Sequence, residues 1–319
     1  MVKDPFGRKI EYIRISVIDH CNFMCKYCTT GTHGFEKVPK EEILSFEDIA
    51  RIAEAGKHLG IKKIRLTGGE PLVRHPLPKL VSMIRDVGIE NISITTNGYY
   101  LSIYANELKE AGLKSANVSI DAVDPETFKH ITGVDAVHLV LKGIDSALDA
   151  GLKVKLNTVV MKDITIKELP ALLELARTRN VPLRFIELMP KIDADTWNNM
   201  FFRISDLKEY IEKNISPLTP IHAELGKGPS TYYKLEDGTI IGFIAFFSMN
   251  YCRRCNRIRI DSRGNIYPCL FAPIKIPGLH RIRAGLEETI EFLKEGIQAK
   301  PEHGDPGAKW SVEMRNIGG

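Results

Sequence analysis

The sequence predicts an α/β protein built on a largely parallel sheet, with a smaller α+β region after it. From residue 12 to about 215, short apolar runs typical of strands alternate with amphipathic helical patterns. Such alternation is typical of parallel sheets with right-handed crossovers. After residue 215 the sequence contains hairpin signals instead. Six strand–helix units suit either a doubly wound sheet or an incomplete barrel, and spacing alone leaves both open.

The strand and helix predictions for the first region follow from hydrophobic periodicity. Ser45 is suited to cap the first helix, with Asp48 three residues later. Gly151 is expected to end the fourth helix. Other helices are expected around 80–87, 105–111, 169–176 and 207–211. Strands are predicted at 12–18, 63–67, 92–96, 116–120, 153–160 and 182–187.

The region after residue 215 begins with a predicted loop over 217–229, rich in Pro, Gly and Lys. Residues 232–243 are predicted to form a hairpin that turns at Asp237-Gly238. A second turn is expected at Arg263-Gly264-Asn265, followed by a helix near 283–298 and a polar tail. The sequence therefore predicts two regions, 1–215 and 216–319.

Composition narrows the classes of function. The chain has 319 residues and a net charge of +4, too mild to indicate nucleic-acid binding. The longest apolar run, 240–247, is too short to cross a membrane, and the N-terminus has no apolar signal region. The six cysteines fall into two groups of three, so no disulfide framework is indicated. We expect a cytoplasmic protein in a reducing compartment, without nucleic-acid or membrane partners.

The first cysteine group stands directly after the first strand, at Cys21, Cys25 and Cys28. Three thiolates on one short loop form a sulfur-rich site of the kind that iron–sulfur clusters use. Three ligands would leave one iron of a four-iron cluster open to a substrate or cofactor. The alternative is a structural zinc site, which needs a fourth ligand, and His20 is the only local candidate.

The second group contains Cys252, Cys255 and Cys269. Again three thiolates imply an open metal position, with zinc or a purely structural cluster as the alternative. Basic residues also lie along the predicted strands. They would be solvated on an outer face, but inside a barrel they would need partners, and a polyphosphate would satisfy them. These residues are Arg14, Lys63, Arg65, Lys155 and Arg184.

The first motif, C-x3-C-x-Y-C, resembles the signature of the radical S-adenosylmethionine (SAM) enzymes. The resemblance implies an incomplete six-unit (β/α) barrel of the radical SAM type. It implies that Cys21, Cys25 and Cys28 hold a [4Fe–4S] cluster whose open iron binds SAM. It also assigns SAM contacts to Tyr27 and Met189 beside the adenine, Gly69 of a GGE motif at the amino group, and Ser119 at the methionyl or ribose end.

The second motif, C-x2-C-N-R-x-R with Cys269 in C-L-F and a Gly-Gly end, resembles the GTP 3′,8-cyclase family of molybdenum cofactor biosynthesis. This resemblance implies a second [4Fe–4S] cluster on Cys252, Cys255 and Cys269, facing the guanine of GTP. It gives catalytic roles to Arg257, Arg259, Gly318 and Gly319, and a second tier of phosphate contacts to Lys63 and Arg184. The GTP contacts that it implies are Arg14, Arg65, Thr96, Lys155, Arg257, Ile258 and Arg259.

The implied activity is that of a lyase. A 5′-deoxyadenosyl radical formed from SAM would abstract the ribose 3′ hydrogen of GTP, and ring closure would give 3′,8-cyclo-7,8-dihydro-GTP. The implied partners are a reductant protein such as flavodoxin or ferredoxin, and the next enzyme, which makes cyclic pyranopterin monophosphate. A homodimer is compatible with the sequence.

The chain departs from the family pattern at several positions. Met24 stands where the family often has arginine, Thr29-Thr30 replaces a common Met-Pro, and 191–202 does not align. Two alternatives stay open. A radical SAM peptide maturase with an auxiliary cluster would explain both triads, but not Arg257-x-Arg259 or the Gly-Gly end. A zinc-stabilised binding module is the non-enzymatic alternative.

Overall fold

A computed structural model describes residues 2–28, 39–190, 193–221, 228–246 and 252–305. Its centre is a parallel sheet in which each strand pairs with the next one along the chain. A doubly wound sheet would reverse its strand order at a switch point, so the sequential order identifies the barrel-like alternative. The six strands lie within two residues of their predicted bounds. They are β1 (Tyr12–Ser16), β2 (Lys63–Thr67), β3 (Asn91–Thr96), β4 (Ser115–Ser119), β5 (Lys153–Val160) and β6 (Leu183–Glu187).

Helices connect these strands, and two of them were not predicted. Ser45 and Asp48 form the expected capping box, and Gly151 follows the fifth helix with φ of 73°. The two helices that were not predicted, Pro125–Thr132 and Ala194–Met200, are too short to repeat an apolar stripe over several turns, and the second of them buries no residue. The helices are α1 (Phe46–His58), α2 (Leu77–Asp86), α3 (Leu101–Ala111), α4 (Pro125–Thr132), α5 (Val137–Asp149), α6 (Thr165–Thr178), α7 (Ala194–Met200) and α8 (Ile204–Asn214).

The last third of the chain extends the same sheet at both edges. The predicted hairpin and second turn are confirmed, whereas the predicted loop at 217–229 contains a short strand, and the predicted last helix is two helices separated at Gly285. The elements are β7 (Thr219–Ile221), β8 (Thr231–Lys234), β9 (Ile240–Ile244), β10 (Arg257–Ile260), β11 (Ile266–Tyr267), α9 (Leu279–Ala284) and α10 (Leu286–Gln298).

The sheet does not close on itself within the described residues. The strand order is β11-β10-β1-β2-β3-β4-β5-β6-β9-β8-β7. The first strand therefore pairs with β10 and the sixth with β9, both in parallel, and β1 and β6 do not meet. This confirms the expectation of an incomplete six-unit barrel.

Strand alternation separates the core from the site. On β1, Ile13 and Ile15 belong to the main hydrophobic core, whereas Tyr12 and Arg14 face the other way. Helix α10 packs on α1 and covers the core with Phe292. The polar face of the sheet is left to line a cavity. In the part of the chain that the structure describes, no helix combines the length and the apolar character needed to cross a bilayer.

Candidate active site

The polar face of the sheet lines a cavity of about 460 Å³. The cavity brings together most of the site residues expected from the sequence. Ile258 differs, because its side chain lies in the core on the opposite face of β10. Gly318 and Gly319 lie outside the described residues. The expected residues that line the cavity are Cys21, Cys25, Cys28, Tyr27, Gly69, Thr96, Ser119, Met189, Arg14, Lys63, Arg65, Lys155, Arg184, Arg257 and Arg259.

The first cysteine loop is held by backbone hydrogen bonds to the end of α4. The amides of Met24 and Lys26 donate to the carbonyls of Thr132 and Ile131, at 2.9 and 3.0 Å. The Phe23 side chain is buried, and its ring packs edge-on against the rings of Tyr99 and Phe128. The Phe23 amide also donates to the Cys21 sulfur at 3.4 Å. The loop is therefore anchored on both sides of its cysteines.

A second loop, the one containing Gly68-Gly69-Glu70, packs against the cysteine loop. The Gly69 amide donates to the Ile18 carbonyl at 2.8 Å, and the Glu70 amide donates to the His20 carbonyl at 2.9 Å. A Cβ atom on Gly69 would lie 2.2 Å from the His20 carbonyl oxygen, so only glycine permits this approach. Because the Gly69 N–H is already bonded, its carbonyl oxygen is the backbone group suited to accept from an amino group.

Glu70 is fully buried and joins this loop to the end of β3. Its carboxylate accepts from the Thr96 hydroxyl and the Asn97 amide, each at 2.7 Å, and from the Leu72 amide at 3.0 Å. Burial raises the pKa of Glu70 to about 7, although these hydrogen bonds oppose the rise. The Thr96 hydroxyl is therefore engaged with Glu70 inside the cavity wall.

Tyr27 is positioned from the opposite side of the cavity. Its hydroxyl donates to Asp121 Oδ2 at 2.6 Å, while the Val159 amide donates to Asp121 Oδ1 at 2.7 Å. Burial raises the pKa of Asp121 to about 6, and these two hydrogen bonds limit the rise. Asp121 thus links the cysteine loop to β4 and β5, and it fixes the direction of the Tyr27 ring.

The basic residues meet because strand register stacks them in rows across β2, β1 and β10. One row is Lys63–Tyr12–Arg257 and the next is Arg65–Arg14–Arg259. Like charges side by side destabilise a sheet unless an anion or a shield separates them. Within the described residues, no carboxylate forms an ion pair with Lys63, Arg65 or Arg257.

Tyr12 lies at the centre of these rows and was not predicted to belong to the site. Lys63, Arg257 and Arg65 lie 5.4, 5.6 and 5.8 Å from its ring centroid, within cation–π range. Its buried hydroxyl has no hydrogen-bond partner among the described residues. Burial would raise the pKa of Tyr12, but the charges of Arg65 and its neighbours outweigh this effect and lower it to about 8. Tyr12 lies two residues before Arg14 on β1, so both side chains point to the same face of the sheet. This spacing was the feature of the sequence that could have identified Tyr12 as a site residue.

Two lysines of the cavity are poorly stabilised as cations. Burial, followed by the charge of Arg184, lowers the pKa of Lys155 to about 7. Burial and the charge of Arg65 lower the pKa of Lys63 to about 8. Arg184 itself is held by a hydrogen bond to Asn117 Oδ1 at 2.8 Å. The cavity therefore presents a positively charged surface, and a polyphosphate has the complementary charge.

The second cysteine triad lies beside the cavity and is separated from it by the residues that follow Cys255. Cys252 begins a short 3₁₀ helix, Cys252–Arg254, Cys255 directly follows it, and Cys269 follows β11. Asn256 and Arg257 line the cavity, whereas none of these three cysteines does. The Phe271 amide donates to the Cys269 sulfur at 3.4 Å, and the Gly304 amide donates to the Cys252 sulfur at 3.5 Å.

The environments of the two triads fit cluster ligation. In each triad a backbone amide donates to a cysteine sulfur, a contact that tunes iron–sulfur clusters. No three Cys, His, Asp or Glu side chains of the described residues converge closely enough to hold one metal ion. A cubane does not require such convergence, because each of its ligands binds a different iron. This spacing is therefore compatible with a four-iron cluster at each triad.

Family comparisons agree with this arrangement. Residues 15–176 match the family described as the Radical SAM superfamily, and residues 181–306 match the family described as Molybdenum Cofactor Synthesis C. A GTP 3′,8-cyclase of Pelotomaculum thermopropionicum is 39% identical over 326 residues, covering 100% of both chains. A GTP 3′,8-cyclase of Nautilia profundicola is 40% identical over 307 residues, covering 96% of this chain and 95% of the relative.

Solved structures with the same fold include the Streptococcus suis protein SuiB. SuiB bound to the precursor peptide SuiA has a TM-score of 0.61 at 15% identity, covering 92% of this chain and 67% of SuiB. SuiB bound to S-adenosylmethionine has a TM-score of 0.59 at 16% identity, and the match covers 85% of this chain and 64% of SuiB. These likenesses show the fold, and the full-length identities show the family. The chain belongs to the radical SAM superfamily and, within it, to the family of the GTP 3′,8-cyclases.

Proposed function

We propose that this protein cyclises GTP to 3′,8-cyclo-7,8-dihydro-GTP, the first step of molybdenum cofactor biosynthesis. The protein is a radical SAM enzyme that uses SAM and two [4Fe–4S] clusters. One structural observation carries the proposal. A single cavity joins a cysteine triad of radical SAM spacing to two rows of basic side chains that strand register aligns across β2, β1 and β10. Full-length identity to GTP 3′,8-cyclases supports the same activity.

The cofactor assignment follows the two triads. Cys21, Cys25 and Cys28 would hold the cluster that binds SAM, and Cys252, Cys255 and Cys269 would hold the second cluster. When bound, SAM and its cluster supply the radical chemistry that removes a hydrogen atom from the ribose. The support is that the first triad lines the cavity and that backbone amides reach Cys21, Cys252 and Cys269.

The SAM side of the cavity is formed by four residues on three loops and a strand end. The Gly69 carbonyl would accept from the amino group of SAM, and Ser119 would contact its methionyl or ribose end. Tyr27, fixed by Asp121, and Met189 would flank the adenine. Met189 packs against Tyr267 and Leu270, so this wall also borders the loop that carries Cys269. These contacts orient SAM and keep water away from the reacting atoms.

The GTP side uses the cationic rows. Arg14, Arg65, Arg257, Arg259 and Lys155 would bind the triphosphate and orient the ribose, with Lys63 and Arg184 as further phosphate contacts. The ring of Tyr12 lies between three of these cations, Lys63, Arg65 and Arg257. Thr96 contributes through Glu70, which its hydroxyl contacts at 2.7 Å. Ile258, whose side chain lies in the core, would contribute through its backbone.

Further parts of the proposal concern the organisation and setting of the protein. Residues 1–215 would form the SAM-binding region and 216–319 the second-cluster region, whose Gly318 and Gly319 assist catalysis. A flavodoxin- or ferredoxin-like protein would supply electrons in the cytoplasm, and the enzyme that makes cyclic pyranopterin monophosphate would take the product. A homodimer remains compatible with this arrangement.

A peptide-modifying activity is less well supported. The likeness to SuiB is 15–16% in sequence and shows the fold alone. A peptide substrate gives no reason for rows of cations whose charges call for a polyphosphate. A GTP substrate explains both these rows and the presence of Arg257-x-Arg259, the motif that resembles that of the GTP 3′,8-cyclases.

Product analysis tests the proposal. Anaerobic enzyme with GTP, SAM and a reductant should form an isomer of GTP. Chromatography separates this product from GTP, and mass spectrometry should show that the two have the same mass.

GTP binding tests the assigned contacts. Arg257→Ala or Lys155→Ala should weaken GTP binding by about 1.5–3 kcal/mol, because each removes a charge-assisted contact. Lys153→Ala is the matched control, since Lys153 is exposed on the same strand and does not line the cavity. Unchanged GTP affinity in both site variants would contradict the substrate.

Iron content tests the ligand assignment separately. Loaded enzyme should contain about eight irons per chain, as two four-iron clusters. Cys25→Ala and Cys255→Ala should each remove about half of this iron, because each breaks a different triad. A variant that keeps all of its iron would show that its cysteine is not a required ligand.

A further inference from the structure

A buried lysine lies directly against the second cysteine triad. Lys300 is only 3% exposed, and its Nζ contacts the Cys255 sulfur at 3.5 Å. The same nitrogen donates to the carbonyls of Arg257 and Pro268, at 2.9 and 2.8 Å. The two carbonyls can only accept hydrogen bonds, and the sulfur of Cys255 as a cluster-bound thiolate would also accept, so an ammonium group with three hydrogens matches all three partners. Lys300 therefore places a positive charge beside one sulfur of the triad.

No carboxylate of the described residues forms an ion pair with Lys300. A buried ammonium group without a counter-charge is costly, and two carbonyl dipoles compensate it only in part. An anion next to Nζ would complete the compensation. The Cys255 sulfur occupies that position, and as a cluster ligand it would carry the negative charge.

The segment that carries Lys300 is itself fixed around the triad. The Gly304 amide donates to the Cys252 sulfur, and a Cβ atom on Gly304 would lie 2.7 Å from the Cys269 sulfur. Arg8 donates to the carbonyls of Cys252, Pro301 and Glu302 and thereby ties the segment to the triad. Residues 300–305 thus contact all three cysteines, and the position of Lys300 is set by more than its own contacts.

The two triads differ in the sign of the charge next to them. The groups that act electrostatically on Cys21 and Cys25 are the carboxylates of Glu70 and Asp121 and the neighbouring cysteines. At the second triad, by contrast, the amino group of Lys300 lies 3.5 Å from the Cys255 sulfur. The charged groups beside the two triads are therefore of opposite sign.

We propose that Lys300 raises the reduction potential of the second cluster by stabilising its reduced form. This inference rests on the assignment of Cys252, Cys255 and Cys269 as the ligands of that cluster. One-electron reduction adds one negative charge to the cluster, and no bond forms or breaks. A fixed positive charge and a hydrogen bond to a ligand sulfur both favour the more negative form. Low local polarity strengthens the effect.

A redox titration of the reconstituted full-length enzyme tests the proposal. Samples are poised anaerobically with dithionite and mediators, and the reduced clusters are followed by electron paramagnetic resonance. Lys300→Met should decrease the reduced-to-oxidised ratio of the second cluster about tenfold at a fixed potential, which corresponds to about −59 mV for one electron. The first cluster should keep its potential and serves as an internal control.

Matched variants separate charge from packing. Lys300→Arg keeps the charge and should stay close to the wild-type potential. Lys294→Met removes an exposed lysine that pairs with Glu291 on α10, and it should change neither cluster. If Lys300→Met fails to load the second cluster, Lys300→Gln retains a hydrogen-bond donor without the charge and should also show a negative shift, smaller than tenfold in the reduced-to-oxidised ratio.

Several results would overturn the proposal. These are a wild-type potential in the uncharged variant, equal shifts in Lys300→Met and Lys300→Arg, or a loss of iron in every Lys300 variant. Failure of the underlying ligand assignment is recognised differently. In that case Cys255→Ala would retain about eight irons, and neither reduced signal would disappear.

Discussion

At the scale of single residues, Lys63 and Lys155 carry charges that the cavity destabilises until an anion enters it. Their pKa values are lowered to about 8 and about 7, by burial first and then by Arg65 and Arg184. The negative charge of a bound triphosphate would reverse these shifts. Both lysines should therefore gain protons when GTP binds, since the complex stabilises their charged forms.

This gives a prediction about pH. Above pH 7 Lys155, and above pH 8 Lys63, lose their protons in the GTP-free protein, so binding must recover them. GTP affinity should fall by about tenfold per pH unit for each proton taken up. Calorimetry at pH 8 in buffers of different ionisation enthalpy measures this uptake directly. Lys155→Met should reduce the uptake and Lys153→Met should not; binding without proton uptake would contradict the prediction.

Tyr12 gives a second prediction at this scale. Its pKa is lowered to about 8 because the charges of Arg65, Arg14 and Arg257 outweigh the effect of burial. Above pH 8 the phenolate would place a negative charge among the groups that we propose to bind the triphosphate. Tyr12→Phe keeps the ring between the cations and removes the ionisable hydroxyl. Its GTP affinity should therefore decrease less steeply than that of the wild type between pH 8 and 9.

A fluorescence or filter-binding titration at several pH values is sufficient to compare the two proteins. Near pH 7 they should differ little, because Tyr12 is neutral there. Identical slopes above pH 8 would show that Tyr12 does not ionise in this range.

At the scale of elements, two loops meet so closely that their contact depends on one glycine. A Cβ atom at Gly69 would lie 2.2 Å from the His20 carbonyl oxygen, and 2.7 Å from that of Asp19. Gly69→Ala should push the cysteine loop away from β2, with an overpacking cost of about 1–3 kcal/mol. We expect this variant to lose about half of its iron and to bind SAM weakly, while the second cluster remains.

The matched control is Gly228→Ala, at another cavity-lining glycine where an added Cβ would meet no atom within 4 Å. It should retain full iron content. If Gly69→Ala also retained full iron and wild-type SAM affinity, the two loops would have to be far more adaptable than their backbone contacts indicate.

The sequence predicted these elements unevenly. The six parallel strands were recognisable because their inner and outer faces alternate between polar and apolar residues. Register was not recognisable, and register is what aligns Tyr12 with Lys63 and Arg257. Lys300 was equally hidden, since its partner Cys255 lies 45 positions away and no local pattern marks a buried lysine. Helix α7 carries no apolar stripe, because it buries no residue.

At the scale of the whole molecule, the proposed regions 1–215 and 216–319 share one sheet. Strand β10 pairs with β1 and strand β9 with β6, so both edges of the six-strand sheet are covered by the second region. Residues 1–215 alone would expose two strand edges and the apolar surface that Ile260, Ile266 and Phe292 cover. Exposed edges of this kind favour aggregation.

We therefore expect a 1–215 fragment to aggregate or to lack a cooperative unfolding transition. A 1–305 chain, which keeps all of these contacts, is the control and should remain folded. Size-exclusion chromatography and thermal unfolding followed by circular dichroism distinguish the two. A monomeric fragment with a sharp unfolding transition would show that residues 1–215 fold without residues 216–319.

The pairing of β10 with β1 also sets an order of events during protein synthesis. Chains emerge from the ribosome N-terminus first, so Arg14 and Arg65 are exposed long before Arg257 and Arg259 exist. The rows of cations can be completed only after more than four-fifths of the chain has been made, since Arg259 is residue 259 of 319. A nascent chain therefore holds an incomplete set of the proposed nucleotide contacts, and the proposed GTP pocket can form only late in folding.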